Sequence, residues 1–435
     1  MPSNSRRHLT QPALTTQTSV VTNDLPSPQP LRELSPGDGT ALPASLLSSR
    51  KTLPDTFPGF FTGDTYIQCD TVRPPRQWQL HSAVLTRNSP WFARSIREQQ
   101  AASKTADWLL FALEKINDRF VLVAQNPEGD RPISRKPDSD ETLLKECQSK
   151  CISQRAKTKI IQDDIVVYEQ VFGSFYNIAP RIEATNVKTA TSQAKALVKI
   201  AQDLGCIHLI SSHVGNALLQ HRQSLYKAIL DDPPRYLLLA SALENEFIYA
   251  ESLIHLIGAH PCWPWPTKQS ALPDTIRQLI VKKSRELDMQ VLETERELLL
   301  LTITTKRGIP YSAESHSQFD TWFVVQMFRD TLTNVFRQHD ASKPSLKRGN
   351  LFRKIRADGS TYMAYEDVRR MVQAVMPSAV ETLGEDLRIL KEFASEIVEN
   401  LARNELSLDV EENKVGWLTC AKVEKEYIPW RAGER

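Results

Sequence analysis

Two kinds of hydrophobic pattern follow one another along the chain. The first occupies residues 63–125 and is made of short runs. Tyr66-Ile67-Gln68-Cys69 reads as a short strand, with Gly63-Asp64 as the turn before it. "RQWQLHS" reads as a second strand and "DRFVLVAQ" as a third. Between them, "SAVLTRN" has helical character and ends before Ser89. Ser89 suits an N-cap and Pro90 the first helical position, where its missing N–H costs nothing. Trp91, Phe92, Ser95 and Ile96 follow at helical spacing.

The second pattern starts near residue 165 and is helical throughout. Apolar residues at 165, 168, 171, 172 and 175 mark one helix. Ala194, Leu197, Val198, Ala201 and Leu204 mark the next, with Gly205 placed as its C-cap glycine. Ile207, Ile210, Val214, Ala217 and Leu218 predict a single helix over "CIHLISSHVGNALLQ". "DDPPRYLLLASALEN" starts with an Asp cap and prolines, and "EFIYAESLIHLIGAHP" stops at Pro261. "CWPWPTK" is a rigid aromatic connector. Residues 273–303 form one long helix with a stripe of Ile276, Ile280, Leu287, Val291 and Leu298. Lys283 and Thr294 interrupt that stripe, which argues against a sustained coiled coil. Amphipathic helices are expected in 316–340 and 364–404. The end, "GWLTCAKVEKEYIPWRAG", mixes short strand and turn character. No repeat at a period of roughly 20–50 residues is evident.

Residues 1–55 are rich in Pro, Ser and Thr with almost no aromatics. Such a segment cannot bury enough apolar surface to offset its ordering entropy, so a disordered tail is expected. Residues 126–160 are polar and charged, and read as a surface insertion that is partly helical from Leu143 to Cys151. Of the 435 residues, 41% are hydrophobic, enough for a sizeable core. The 54 basic and 52 acidic residues leave a net charge of +2. That near-balance lacks the electrostatic footprint of a nucleic-acid binder. Six scattered cysteines do not form a disulfide framework, which points to a reducing compartment. The N-terminal stretch has no apolar signal core, and nothing reaches about 18 consecutive apolar residues, so neither secretion nor membrane spanning is expected. Its basic, Ser/Thr-rich composition is shared with transit peptides, whereas Asp24 and the following prolines suit a plain tail. An intracellular protein, cytoplasmic or nuclear, is the expectation.

Candidate chemistry is sparse. His81 has only Ser82 and Ser89 nearby, with no nucleophile elbow around them. A buried histidine bonding backbone carbonyls is the simpler reading. Cys147 and Cys151 would share a helix face, but lack two further closely spaced zinc ligands. His255 and His260 sit at a helix end, where histidine interacts favourably with the last carbonyls. Trp263 and Trp265 fit packing between helical layers better than a peptide-binding surface. The pairs Asp163-Asp164, Asp231-Asp232 and Glu411-Glu412 read as surface charges or caps. Fifteen glycines and no phosphate-cradling loop disfavour a nucleotide enzyme. "KPSLKRGNLFRKIR" reads as a solvated helix face, with an acidic partner or nucleic acid as its alternative.

"GDTYIQCD" followed by "WQLHSAVLTRNSPWFARSI" resembles the start of a BTB/POZ domain, and "DDPPRYLLLASALEN" and "IHLIGAHPCWPWP" are similar to the helical C-terminal region of fungal BTB-domain proteins. The match falls on Asp64, Leu80, His81, Val84, Leu85, Ser89 and Phe92. "QAKALVKIAQDLGCIHLISSHVGNAL" is similar to the closing helix pair of that fold, so the resemblance covers about 63–220. It departs from the family at Ser82, where a basic residue is common, and in the extra length at 126–160. The resemblance implies an α+β, mostly helical protein: a small sheet flanked by helices, then an all-helical C-terminal region. It divides the chain into a tail (1–55), a BTB/POZ-like domain (56–220) and helical regions at 221–310 and 311–435. It implies a structural His81 and a non-enzymatic scaffold or adaptor that binds proteins. Self-association and a cullin scaffold are the partners it admits, with no cofactor, metal or membrane. Asp64, Tyr66, His81, Val84, Leu85 and Trp91 would line the contact, Asp64 in a charged pocket. A nuclear transcription co-regulator, and an enzyme with a site in the helical C-terminal region, stay open as alternatives.

Overall fold

The computed structural model describes residues 56–102, 108–117, 119–125, 152–339, 345–357 and 362–431. The N-terminal tail, most of the 126–160 insertion and the Cys147/Cys151 pair lie outside them. Four strands, β1 (Thr65–Cys69), β2 (Arg76–Leu80), β3 (Leu109–Ile116) and β4 (Arg119–Gln125), form one mixed sheet in the order β2-β1-β3-β4. β1 and β3 run parallel, and the other two pairings are antiparallel. Register sets Ile67 beside Trp78 on one side and Phe111 on the other. Alternation then sends Ile67, Cys69, Trp78, Leu80, Phe111, Leu113, Phe120 and Leu122 into the core.

β3 has no counterpart in the pattern reading, and the reason is its position. It lies between β1 and β4 and is largely buried on both faces from Leu109 to Leu113. A central strand shows a continuous apolar run instead of alternation. Its Leu, Ala, Glu and Lys are also helix formers, so local preference pointed away from a strand.

Helices α1 (Ser82–Asn88) and α2 (Pro90–Ala102) connect β2 to β3. Ser89 separates them as expected: its Oγ accepts from Phe92 N at 3.1 Å and donates to Leu204 O at 2.5 Å. That second bond ties the entry helices to α4 (Val187–Asp203), which follows α3 (Ile152–Ser174). Asn186 caps α4 by accepting from Lys188 N and Thr189 N. Gly205, at φ +69°, ends it, with Cys206 N reaching Ala201 O at 2.8 Å and Gly205 N reaching Gln202 O at 3.0 Å. The single helix expected over 206–220 divides instead. A 3-10 turn at Ile207–Leu209 precedes α5 (Ser211–Leu219), and both Cys206 and Ile210 are buried.

Beyond α5 come α6 (Gln223–Asp231), α7 (Pro233–Leu243), α8 (Glu246–Ala259), α9 (Asp274–Leu300), α10 (Phe319–His339), α11 (Ser345–Arg356), α12 (Tyr365–Val375) and α13 (Leu383–Ala402). The fold is thus α+β and mostly helical. Asp232 precedes α7 as expected but does not cap it; its carboxylate accepts from Thr267 Oγ1 at 2.8 Å. Trp263 and Trp265 are packed edge to face, and Trp265 Nε1 donates to Leu230 O.

α8 is buried on every side from Glu251 to Ala259, because α6, α7, α9 and α11 surround it with the segment 404–431. The sequence predicts short strands and turns in its part from Gly416 onward. The segment carries no strand and lies along α8 as a strap. Side chains satisfy its backbone: Glu251 accepts from Ser407 N and Leu408 N, and Arg353 donates to Trp417 O and Val415 O. Two glycines let it pass. A Cβ on Gly258 would lie 2.0 Å from Leu418 O, and one on Gly349 would lie 2.1 Å from Trp417 O. One continuous core then runs from Ile67 to Ile428.

In the part of the basic run with described side chains, 348–356, only one side is solvated, at Asn350, Lys354 and Arg356. Arg348, Leu351, Phe352 and Ile355 form the inward side of α11. Arg348 is 1% exposed, pairs with Glu295 and lies over the Phe336 ring at 4.8 Å. Burial of a guanidinium demands such a partner. Sequence periodicity counts charge as polar, and cannot see a matching carboxylate on α9.

Candidate functional site

The strand-to-helix junction at His81 is built by two close approaches. Gly63 turns the chain into β1, and a Cβ there would meet Leu80 O at 2.8 Å. This brings Asp64 to the start of α1. His81 holds the N-cap position of α1 without a side-chain cap bond. Asp64 supplies it from the neighbouring strand end, accepting from Ser82 N at 2.6 Å and from Ser82 Oγ at 2.5 Å. A carboxylate there also meets unsatisfied N–H groups at the positive end of the helix. Ser82 therefore answers Asp64 through a hydroxyl and an amide.

His81 is half-buried and does not bond backbone carbonyls as expected. Its backbone N–H donates to Tyr176 Oη at 2.8 Å. Nδ1 lies 3.3 Å from the same hydroxyl, and Nε2 lies 2.9 Å from Thr62 Oγ1. Burial pushes the Tyr176 phenol up, partly offset by the His81 bond, so at neutral pH it keeps its proton. The protonated phenol and the Thr62 hydroxyl can each donate or accept at the ring nitrogen they face. Both ring nitrogens thus join segments of the fold. Phe60 lies over the imidazole with ring centroids 4.9 Å apart.

Around this imidazole lies an apolar surface. Phe60 also meets Tyr176 at 4.5 Å, and Phe57 meets it at 6.2 Å. Ile178 closes against the end of α3, where its Cβ would touch a Cβ placed on Gly173. Phe61 is 63% exposed and Ile178 47%. A single exposed apolar side chain is ordinary, whereas a contiguous aromatic group is a surface that another polypeptide can cover.

The six expected contact residues divide. Asp64 and His81 come together at the junction. Tyr66 and Leu85 are buried within the chain, Tyr66 edge-on to Trp108 at 6.0 Å, so neither presents a surface. Val84 and Trp91 are half-buried, and Trp91 leans on Phe92 and Phe111. Phe57, Phe60, Phe61, Tyr176 and Ile178 are not among the expected contact residues. The signal was present in "FPGFF", three phenylalanines around a Pro-Gly pair just ahead of Gly63.

Other candidates resolve as structure. His255 is fully buried inside α8, and Trp417 Nε1 donates to its Nδ1 at 3.3 Å. It does not serve the helix-end carbonyls as expected, because the strap covers it. Cys69 and Cys206 are buried, and burial pushes the Cys206 thiol up to about 12. Among the described residues no group of three His, Cys, Asp or Glu side chains is placed to hold a metal ion. None of their helices is long and apolar enough to cross a membrane. The chain matches no protein-family model, no curated protein and no solved structure.

Proposed function

We propose that this chain is a non-enzymatic scaffold or adaptor of the BTB/POZ type, which binds other polypeptides through the face around His81. The observation that carries the reading is the aromatic group of Phe57, Phe60 and Tyr176 beside an imidazole whose two nitrogens bond within the chain, with Phe61 and Ile178 exposed next to Phe60 and the end of α3. Two further features support it. The resembling string falls on β1, β2, α1 and α2 with His81 at the strand–helix junction. The same unit packs against the helices of 193–220 through the Ser89–Leu204 bond and the contact of Gly205 with Pro90.

The face serves self-association first and recruitment of a cullin scaffold second. Light scattering on the full chain is expected to give a mass above the 49.4 kDa of one chain. The double variant Phe61→Asp/Ile178→Asp replaces exposed residues only, and should return the mass to one chain with the far-UV spectrum unchanged. A wild-type chain that is monomeric and retains no cullin in a pull-down rejects the proposal.

A further inference from the structure

α9 carries a second stripe that the fold leaves uncovered. Its inward stripe of Ile276, Ile280, Leu287, Val291 and Leu298 packs on α8, α10 and α13. On the opposite side lie Gln278, Lys282, Arg285, Met289, Leu292 and Arg296, all exposed. Their separations alternate four and three residues, the spacing of a coiled-coil seam. Met289 is 67% exposed and Leu292 59%, one turn apart. The N-terminal half of the stripe borders an open groove of about 880 Å³, shared with Gln269, Arg277 and Val281.

We infer that this seam docks an acidic amphipathic helix of another protein. Charge decides the occupant. Within the groove, Asp274 is paired with Arg277, and Glu286 with Lys283 at 2.8 Å. No carboxylate among the described residues pairs with Lys282 or Arg285, while Arg296 has Glu293 at 3.4 Å. The seam therefore presents two apolar residues with two unpaired cations, Lys282 and Arg285, on their N-terminal side, while Glu293 balances Arg296 on the other. A second copy of α9 fits it poorly. In parallel register Lys282 and Arg285 would each face themselves. In the antiparallel register that sets Met289 against Leu292, Arg285 would face Arg296. A helix with leucines one turn apart and glutamates beside them offers the complement, with apolar side chains for Met289 and Leu292 and carboxylates for Lys282 and Arg285.

The test uses the full chain and a fluorescently labelled designed peptide, with two leucines one turn apart flanked on both sides by glutamates at seam spacing. A control peptide carries lysines at those positions. Anisotropy should show the glutamate peptide binding more tightly than the control. Lys282→Glu/Arg285→Glu should reverse that preference by about tenfold, and Met289→Asp/Leu292→Asp should abolish binding of both. The Phe61→Asp/Ile178→Asp chain should bind the glutamate peptide as the wild type does, which separates this inference from the function proposed above. Equal binding of the two peptides overturns it. So does light scattering in which Met289→Asp/Leu292→Asp dissolves a wild-type dimer, because a second copy would then occupy the seam.

Discussion

A neutral imidazole sealed under an indole makes the interior sensitive to acid. Burial pushes His255 from 6.5 down to about 3, and its Nε2 has no partner. A group whose folded pKa is depressed contributes stability that is complete above its unfolded pKa. That contribution is lost as pH falls from 6.5 toward 3. Glu251, one turn earlier, works in the opposite sense: burial raises its pKa despite the Ser407 and Leu408 bonds. Its contribution is present at low pH and declines as pH rises through the raised value. Urea unfolding at pH 7 and pH 4 separates the two through His255→Leu. The wild type should lose about 2–3 kcal/mol more than this variant on acidification. The variant's lost bond to Trp417 costs the same at both pH values and cancels. Equal losses would show that His255 does not titrate on unfolding.

At the scale of elements, α11 shows how a charged sequence becomes core. Arg348 and Glu295 join α11 to α9, and Arg353 joins α11 to the strap. Arg348→Ala leaves Glu295 with its carboxylate in a mostly buried place, at a cost of about 3 kcal/mol. Replacing both partners, as Arg348→Met/Glu295→Leu, should cost less than the single change, because no charge is left alone. Chemical denaturation of the two variants decides the order. The same arrangement explains what the pattern could reveal. α2, α4 and α9 announced themselves because one-sided burial prints a 3.6-residue period, α8 because its apolar run stops at Pro261, and Pro90 and Gly205 mark ends by backbone geometry. β3 and the buried side of α11 did not, since each is defined by neighbours distant in sequence. Of the candidate site, Asp64 and His81 were legible as a turn and a junction. The aromatic face was not, because Tyr176 reaches His81 across 95 residues.

The whole molecule is organised around α8. Its buried length is shared by helices from both sides of the chain and by the strap. Glu246 holds Arg431, Tyr249 Oη donates to Tyr427 O at 3.1 Å, and Tyr249 meets the Trp430 ring at 5.2 Å. Removing residues 404–435 would bare this surface and leave the Glu251 carboxylate without its two amide donors. The shortened chain should be recovered aggregated, or should unfold at a lower temperature than the full chain. Gly258→Ala probes the same contact with one methyl group and should lower the melting temperature clearly, since the added atom meets a backbone oxygen and not a movable side chain. A truncated chain that melts like the full one would mean that the strap is an accessory to the core.

By itself the sequence determined the class, the order of most elements and their ends, since helical period, capping residues and turn glycines act over a few residues. Tertiary structure decided which charges are interior, where β3 lies, and how the last thirty or so residues are used. Those outcomes depend on pairings between distant segments: Arg348 with Glu295, β3 between β1 and β4, Trp417 between two glycines. Local preference cannot encode them, because burial changes the free energy of a charge or a backbone amide only once its partner has arrived.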